Sequence, residues 1–328
     1  TFEYDSLGNV TGITDGEENY TNFTLDAWGR ITEIRKPDGS VEEYAYDHAG
    51  NVTSTTDGNG NVIRYDANSL GKTEKITDQA GNVDVFSYDH EGNVAKHKDR
   101  NGKTVTKVYG SFGYLLSERG EDGTFRTRKY NALGRLTESA SNHVVYRYDY
   151  DKAGRVKTKY VGGRAALTYT YTKGGRIASI TDVSGRTTKY AYDKNGKLIR
   201  VSEAANGVSV PEAGRDKAIA EYAYDKIGRL KDVRFANGVH TCYTYDDARN
   251  LASLETTGTD GTRLISYSYR YDRNGNRTEK ADEKGNATKY VYDSLQRLCE
   301  ASYPETGTER FSFDAAGNRV SKATDYYR

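Results

Sequence analysis

The sequence predicts an all-β protein made of tandem β-hairpins of about 21 residues, which pair into one long antiparallel sheet. Three observations predict this fold. The motif Tyr-x-Tyr-Asp-x-x-Gly-(Asn/Arg/Lys) recurs through the 328 residues. The aromatic residues of each copy alternate as they would along a strand. A second turn signal follows most motifs, so each copy supplies two short strands and two turns.

The period of the motif is regular. Its Asp slot recurs every 21 residues in all but three intervals, which measure 20, 32 and 26 residues. Two copies hold Asn in the slot, Asn68 and Asn131. Four copies depart from the motif, at Gly110, Thr172, Arg249 and Gln296, which leaves the turn geometry of those copies open. The fifteen slots are residues 5, 26, 47, 68, 89, 110, 131, 151, 172, 193, 225, 246, 272, 293 and 314.

The first strand of each copy carries aromatic residues one and three positions before the Asp slot, for example Tyr190 and Tyr192. Residues two apart point to the same face of a strand, so one face is aromatic. The Asp carboxylate accepts a hydrogen bond from the amide two residues on, and Gly takes the positive φ that closes the hairpin. The predicted structural motif residues are Tyr4, Asp5, Gly8, Tyr46, Asp47, Gly50, Tyr88, Asp89, Gly92, Tyr150, Asp151, Gly154, Tyr192, Asp193, Gly196, Tyr224, Asp225, Gly228, Tyr271, Asp272 and Gly275.

The second strand has apolar residues three apart, such as Ile31 with Ile34 and Leu230 with Val233. Strict alternation would place such a pair on opposite faces. A β-bulge of one extra residue just after the turn places both on one face, and we predict this bulge. A helical turn is the alternative, which the short Gly-bounded segment disfavours.

The domain prediction is a single array of about fifteen copies over residues 1–328. Its two irregular steps predict loop insertions near 203–214 and 256–261. Both loops are candidate contact sites, although tolerated insertion is the simpler interpretation. The chain starts inside a copy and contains no Met, which predicts an internal segment of a larger protein.

Composition and motifs disfavour several function classes. The 48 basic and 47 acidic residues leave no net field for nucleic acid, and no apolar stretch is long enough to span a membrane. The sequence predicts no enzyme activity, catalytic residue, cofactor or metal site, because His, Cys and Gly form no known constellation. Asp57-x-Asn59-x-Asn61 resembles the start of an EF-hand loop but lacks its later ligands. Cys242 and Cys299 are predicted as ordinary strand residues, although one bridge between them stays open.

The tandem Tyr-Asp-x-x-Gly-(Asn/Arg) units resemble the RHS/YD-repeat proteins over essentially the whole chain. The segments 46–51 and 224–229 are close to the family motif. The resemblance implies a sheet that curls into a spiral, shell-like structure, a partial β-cocoon. It implies a non-enzymatic scaffold that encloses a C-terminal toxin or cargo domain and helps to deliver it, as in bacterial RHS effectors, the toxin-complex cocoon and wall-associated contact-inhibition proteins.

The resemblance also implies partners and a location. The partners would be neighbouring repeats and an enclosed toxin or cargo domain, and the location would be secreted or cell-surface. Toxin-bearing members carry an Asp-Pro cleavage motif, which this sequence lacks. The alternative function is cell-surface adhesion, as in the teneurins, or carbohydrate and cell-wall binding through aromatic rings. Wall-binding modules favour Trp, and Trp28 is the only one.

Strand spacing predicts the size of the curl. About 30 strands spaced about 4.8 Å apart form a ribbon about 140 Å long. Because strands twist, a sheet of this length does not stay flat. Wound once, the ribbon would form a tube roughly 45 Å across, a broad turn that does not seal a container.

Overall fold

The computed structural model describes residues 1–204 and 216–325. The predicted all-β class is confirmed, because these residues form 30 strands and no helix. None of them belongs to a helix that would be long and apolar enough to cross a membrane. The strands are β1 (Phe2–Tyr4), β2 (Val10–Thr14), β3 (Tyr20–Leu25), β4 (Ile31–Arg35), β5 (Val41–Tyr46), β6 (Val52–Thr56), β7 (Val62–Ala67), β8 (Thr73–Thr77), β9 (Val83–Tyr88), β10 (Val94–Lys98), β11 (Thr104–Tyr109), β12 (Leu115–Gly120), β13 (Phe125–Tyr130), β14 (Leu136–Ser141), β15 (Val145–Tyr150), β16 (Val156–Val161), β17 (Arg164–Tyr171), β18 (Ile177–Asp182), β19 (Thr187–Tyr192), β20 (Leu198–Glu203), β21 (Lys217–Tyr224), β22 (Leu230–Phe235), β23 (His240–Tyr245), β24 (Leu251–Thr257), β25 (Arg263–Tyr271), β26 (Arg277–Asp282), β27 (Ala287–Tyr292), β28 (Leu298–Tyr303), β29 (Gly307–Phe313) and β30 (Arg319–Asp325).

Each strand pairs antiparallel with the next one in the chain, so the whole array is one meandering sheet. The first turn of a copy, which carries the Asp slot, joins an odd strand to the following even strand and lies on one edge of the sheet. The second turn joins that even strand to the next odd strand and lies on the opposite edge. All first turns therefore share one edge, and all second turns share the other.

The predicted bulge is confirmed. In β3 and β4, Leu25 pairs with Ile31 and Thr24 with Glu33, so Thr32 is the extra residue. This shift brings Ile31 and Ile34 onto the same face, as their spacing required. All fifteen first-turn hairpins carry the same shift in register.

The two predicted insertions differ. Most of the insertion at 203–214 lies outside the described residues, and β20 and β21 pair directly on either side of it. Near 256–261 the chain forms a turn between two lengthened strands. β24 and β25 are seven and nine residues long, and the turn between them keeps the usual size, with the Gly258 amide bonded to Thr262 O at 2.8 Å. A longer backbone ladder absorbs the extra residues.

The wall is one sheet thick. The accessible surface is 21289 Å², whereas a compact protein of this mass exposes about 13,500 Å². Ala220, Val233 and Ala301 are the buried hydrophobic residues of the described chain, and no large side chain is fully buried there. The aromatic face is half-buried by its own neighbours, and the opposite face is more exposed. Stability must therefore come from contacts within the sheet and between its turns.

Candidate functional site

The first turn of each copy is built around its Asp side chain. Asp5 Oδ1 accepts the amides of Leu7 and Asn9, each at 2.9 Å, and Asn9 Nδ2 donates to Asp5 Oδ2 at 2.9 Å. Gly8 takes a φ of 87° and closes the turn. Hydrogen bonds from the Asn9 side chain and amide lower the pKa of Asp5, because they stabilise the carboxylate.

The predicted motif residues occupy equivalent places. All seven Gly of the set have φ between 81° and 91°. All seven Asp accept the amide four residues on. Six of the seven Tyr donate to a backbone carbonyl, and the exception is Tyr4 in β1, which has no preceding strand. Arg249 and Gln296 replace Gly but take positive φ values of 75° and 61°, so their copies keep the turn.

In ten copies, the Tyr hydroxyl before the Asp slot links the copy to the previous one. β4 and β5 pair over only three residues beside the second turn and diverge toward the first-turn edge. Tyr46 spans that gap and donates to Ile31 O at 2.8 Å. We call the series of these bonds the Tyr ladder. Its ten donor and acceptor pairs are Tyr46 and Ile31, Tyr88 and Thr73, Tyr130 and Leu115, Tyr150 and Leu136, Tyr171 and Val156, Tyr192 and Ile177, Tyr224 and Leu198, Tyr245 and Leu230, Tyr271 and Leu251, and Tyr292 and Arg277.

The residue after the turn Gly reinforces the same junction where it is Arg. Arg155 donates from Nε and Nη2 to Asp151 Oδ2 at 2.8 and 2.6 Å, and its guanidinium lies 4.3 Å from the Tyr171 ring centroid in the next copy. These bonds lower the pKa of Asp151. Sequence reasoning missed this role, although the Asn/Arg/Lys preference at the position was visible.

The second turns use the same chemistry. In the segment that resembles an EF-hand loop, Asp57 Oδ1 accepts the amides of Asn59 and Asn61 at 2.9 Å, and Asn61 Nδ2 donates to Asp57 Oδ2 at 2.8 Å. Turn formation therefore accounts for the Asp57 and Asn61 side chains. The two Cys residues, Cys242 and Cys299, are free thiols.

The two edges of the sheet meet at a seam, where three second turns contact three first turns about 257 residues later in the chain. The array therefore completes a circuit in about twelve copies, and copies 13 to 15 stack on copies 1 to 3. The sequence-based estimate had assigned all fifteen copies to one turn. Twelve copies give a circuit of about 115 Å and a width of roughly 37 Å. The contacting turns are 15–19 with 272–276, 36–40 with 293–297, and 57–61 with 314–318.

The first seam contact surrounds Asp15. Asn274 Nδ2 donates to Asp15 Oδ2 at 2.9 Å, and Asn274 Oδ1 accepts the Gly16 amide at 2.6 Å. Gln296 Nε2 also donates to Asp15 Oδ2, at 3.2 Å. Burial raises the pKa of Asp15, but hydrogen bonds from Asn19 and Asn274 outweigh it and lower the pKa to about 2.

The other seam contacts flank an open cleft of 680 Å³. Arg297 Nη2 lies 3.2 Å from Asp38 Oδ2, and Asn59 Nδ2 donates to Asp314 Oδ2 at 2.9 Å. The stacked windings are thus joined by turn residues, through side chains and the Gly16 and Arg273 amides, without strand pairing.

Glycine permits the close approach of the windings. A Cβ built on Gly58 would lie 2.0 Å from Ala315 O, and one on Gly16 would lie 2.7 Å from a backbone oxygen of the other winding. The equivalent position in turns away from the seam carries larger residues, such as Gln79 and Glu283. Gly at this position in two of the three seam turns, with Pro37 in the third, is a signal for the seam that sequence reasoning overlooked.

The fold and the seam define a class of protein, a spiral β-hairpin wall that closes on its own edges. The RHS Repeat family model matches residues 4–41, 26–62, 224–263 and 271–308, and the Teneurin YD-shell model matches 126–210. Together these matches cover about two thirds of the chain. The chain belongs to the RHS/YD-repeat family, as its motif indicated.

Three solved structures show the same fold. A crystal structure of TcdB2-TccC3-Cdc42 matches with a TM-score of 0.62 and 15% identity, over 99% of this chain and 24% of that chain. The Photorhabdus luminescens Tc holotoxin pore with a mutated TccC3 matches with a TM-score of 0.59 and 16% identity, over 99% of this chain and 23% of that chain.

The third structure is TcdB2-TccC3 without its hypervariable C-terminal region, which gives a TM-score of 0.63 and 16% identity, over 98% of this chain and 23% of that chain. The present chain thus spans about a quarter of the length of these chains. No protein of curated function matches the sequence.

Proposed function

We propose that this chain is a non-enzymatic segment of a shell wall in a larger protein, which encloses a C-terminal toxin or cargo domain and helps to deliver it. The seam is the observation that carries the proposal. A sheet whose second-turn edge contacts its own first-turn edge surrounds a space, and each further winding would extend the wall by one strand length.

The thin wall supports this role. A globular domain buries a core, whereas this chain leaves both faces of one sheet accessible. The curved sheet therefore has one face toward an enclosed space, where cargo would lie. We infer that the chain is one array without an internal domain boundary. In this proposal the Tyr, Asp and Gly of each motif maintain the wall and contact no substrate.

Partners and location follow from the same proposal. The neighbours of each copy are other copies, and the enclosed partner is a toxin or cargo domain of the parent protein. The shell would act outside the cell that makes it, as a secreted or cell-surface protein in competition between bacteria. One of the solved structures with this fold is described as a Tc holotoxin pore, which supports a toxin-associated role.

The alternative function is adhesion to a cell-surface glycan. Trp28 favours it, because the indole is 76% exposed on the first-turn edge, with the Arg30 guanidinium 4.8 Å from its ring centroid. An exposed ring beside a cation is a surface that sugars can stack on.

Small-angle X-ray scattering on the 328-residue chain tests the wall. We expect the distance distribution of a hollow ring. Opposite backbones of that ring should lie about 37 Å apart. A long rod would refute a closed winding and with it the shell. Titration with glucan oligosaccharides tests the alternative, since binding that disappears in Trp28→Ala would establish adhesion in place of an inert wall.

A further inference from the structure

Three side chains with metal-binding atoms converge on the face of the sheet opposite the Tyr ladder. Asp232 in β22 pairs with Cys242 in β23, and His240 lies two residues before Cys242 on the same face. One ligand atom from each residue lies within 4.8 Å of the other two. Among residues 1–204 and 216–325, this is the one group of three or more His, Cys, Asp or Glu that meets this spacing.

The spacing suits a tetrahedral ion. Cys242 Sγ lies 3.5 Å from His240 Nε2 and 3.6 Å from Asp232 Oδ2. Zinc bonds of about 2.3 Å to sulfur and about 2.0 to 2.1 Å to nitrogen or oxygen, at tetrahedral angles, place such atoms about 3.5 Å apart. His240 Nε2 and Asp232 Oδ2 are in direct hydrogen-bond contact and would separate to admit the ion.

Two other copies place a carboxylate at this position opposite an arginine. Glu138 and Glu300 occupy the place equivalent to Asp232, and each pairs across the strands with an arginine, Arg147 at 3.1 Å and Arg310 at 3.0 Å. In the pair of β22 and β23, Cys242 stands where those copies have arginine. Across the strands the carboxylate therefore faces a thiol and an imidazole, and its cation is Arg234 on its own strand.

The surrounding charges leave one carboxylate oxygen available. Arg234 Nε lies 3.2 Å from Asp232 Oδ1, so Oδ2 remains for an ion. On the other side, Glu255 of β24 pairs with Cys242 in register, and its Oε2 lies 3.0 Å from Arg263 Nε. Asp232 and Glu255 thus each have their own guanidinium.

We propose that Asp232, His240 and Cys242 bind Zn²⁺, with water as the fourth ligand. Oxygen, nitrogen and sulfur ligands in a set of three plus water are typical of zinc sites that keep an open position. Binding replaces the Cys242 thiol proton, which passes to solvent, and forms the metal–thiolate bond. The ion links β22 to β23 and so joins two copies of the wall.

Cobalt and zinc titrations test the site on the full chain, prepared without a polyhistidine tag and under reduction. One Co²⁺ per chain should bind with a thiolate-to-cobalt charge-transfer absorption in the near ultraviolet, and one equivalent of Zn²⁺ should abolish that absorption. Cys242→Ser should remove the absorption, and Cys299→Ser, which alters the other free thiol, should leave it unchanged.

His240→Gln provides an independent variant that keeps both thiols. Loss of a direct ligand should weaken Zn²⁺ binding by more than about 100-fold, beyond the usual effect of outer contacts. His97→Gln is the matched control, because His97 contacts Asp84 at 3.0 Å with no thiol in the group, and its affinity should equal that of the parent chain. Absent absorption, absorption that survives Cys242→Ser, or unchanged zinc affinity in His240→Gln would each overturn the site.

Discussion

Two kinds of junction hold this wall together, and they use different chemistry. Copies that follow each other in the chain share a backbone ladder, the Tyr ladder and, in several copies, an arginine stacked on the next ring. Windings that stack at the seam share contacts between turns, made by side chains and by the Gly16 and Arg273 amides, and no strand pairing. The comparison teaches that the sheet resists separation along its length, whereas the seam can open without breaking any strand pairing.

The largest expected effect comes from the junction between copies. Tyr192→Ala removes a half-buried ring and its hydrogen bond to Ile177 O at 2.9 Å. We expect a loss of about 3 kcal/mol in the free energy of unfolding, the lower end for aromatic truncation. Tyr192→Phe should cost about 1 kcal/mol through the hydroxyl. Urea unfolding measures both.

Tyr190→Phe is the control for the hydroxyl, because the Tyr190 hydroxyl has no protein partner among the described residues while its ring shares the face of Tyr192. Its cost should be near zero. If Tyr190→Phe and Tyr192→Phe lowered the free energy of unfolding equally, the hydrogen bonds of the Tyr ladder would not stabilise the junction between copies.

The next effect comes from the seam. Gly58→Val places a side chain against Ala315 O and should force the windings apart, at a cost of about 1 to 3 kcal/mol. Scattering should show a wider, open particle whose circular dichroism still reports a sheet. Glu283→Val, at the same turn position away from the seam, should leave the particle closed. An unchanged profile for Gly58→Val would contradict the close contact.

Acid should weaken the seam through Asp15. Its folded pKa of about 2 lies below the unfolded value of about 3.9, so its contribution is present above about pH 4 and is lost as the pH falls toward 2. Asn274→Ala removes a donor to Asp15 and should raise that pKa, which reduces the acid-dependent part of stability. Melting temperatures between pH 6 and 2 measure the change.

Asn195→Ala is the matched control for Asn274→Ala, because Asn195 occupies the same position of a first turn away from the seam and is exposed. It should melt like the parent chain at every pH. If the melting temperatures of the two variants changed identically with pH, Asp15 would not stabilise the seam.

The smallest effect concerns the ion pair across the seam. Arg297→Gln should cost about 0.5 kcal/mol more than Arg229→Gln, since both arginines bind the Asp of their own turn but only Arg297 also contacts Asp38. The difference should shrink at high salt, where screening weakens the pair. Unfolding at low and high ionic strength measures it, and a difference that is independent of salt would argue against an ionic contribution.

Local features of the fold followed from the sequence because they depend on short-range chemistry. The turn at Asp5 to Asn9 and the bulge that unites Ile31 with Ile34 need only neighbouring residues. Strand twist over so many strands and the family resemblance both predicted that the sheet curls. The seam did not follow, because it joins Asp15 to Asn274 across 259 residues, and the number of copies per winding depends on accumulated twist that no single copy encodes. The lengthening of β24 and β25 near 256–261 did not follow either, because length alone cannot distinguish a loop from longer strands.

The single-sheet wall has a thermodynamic consequence. With 21289 Å² exposed when folded, the chain buries about 60% of the surface of its unfolded form, the fraction usual for a domain of about 60 residues, whereas a compact protein of its size buries about 75%. Unfolding thus newly hydrates less surface per residue. Both the heat-capacity increment and the urea m-value should fall about a fifth below those of compact proteins of equal length. A small heat-capacity increment flattens the dependence of stability on temperature, so the wall should hold a similar free energy of unfolding from cold to warm surroundings.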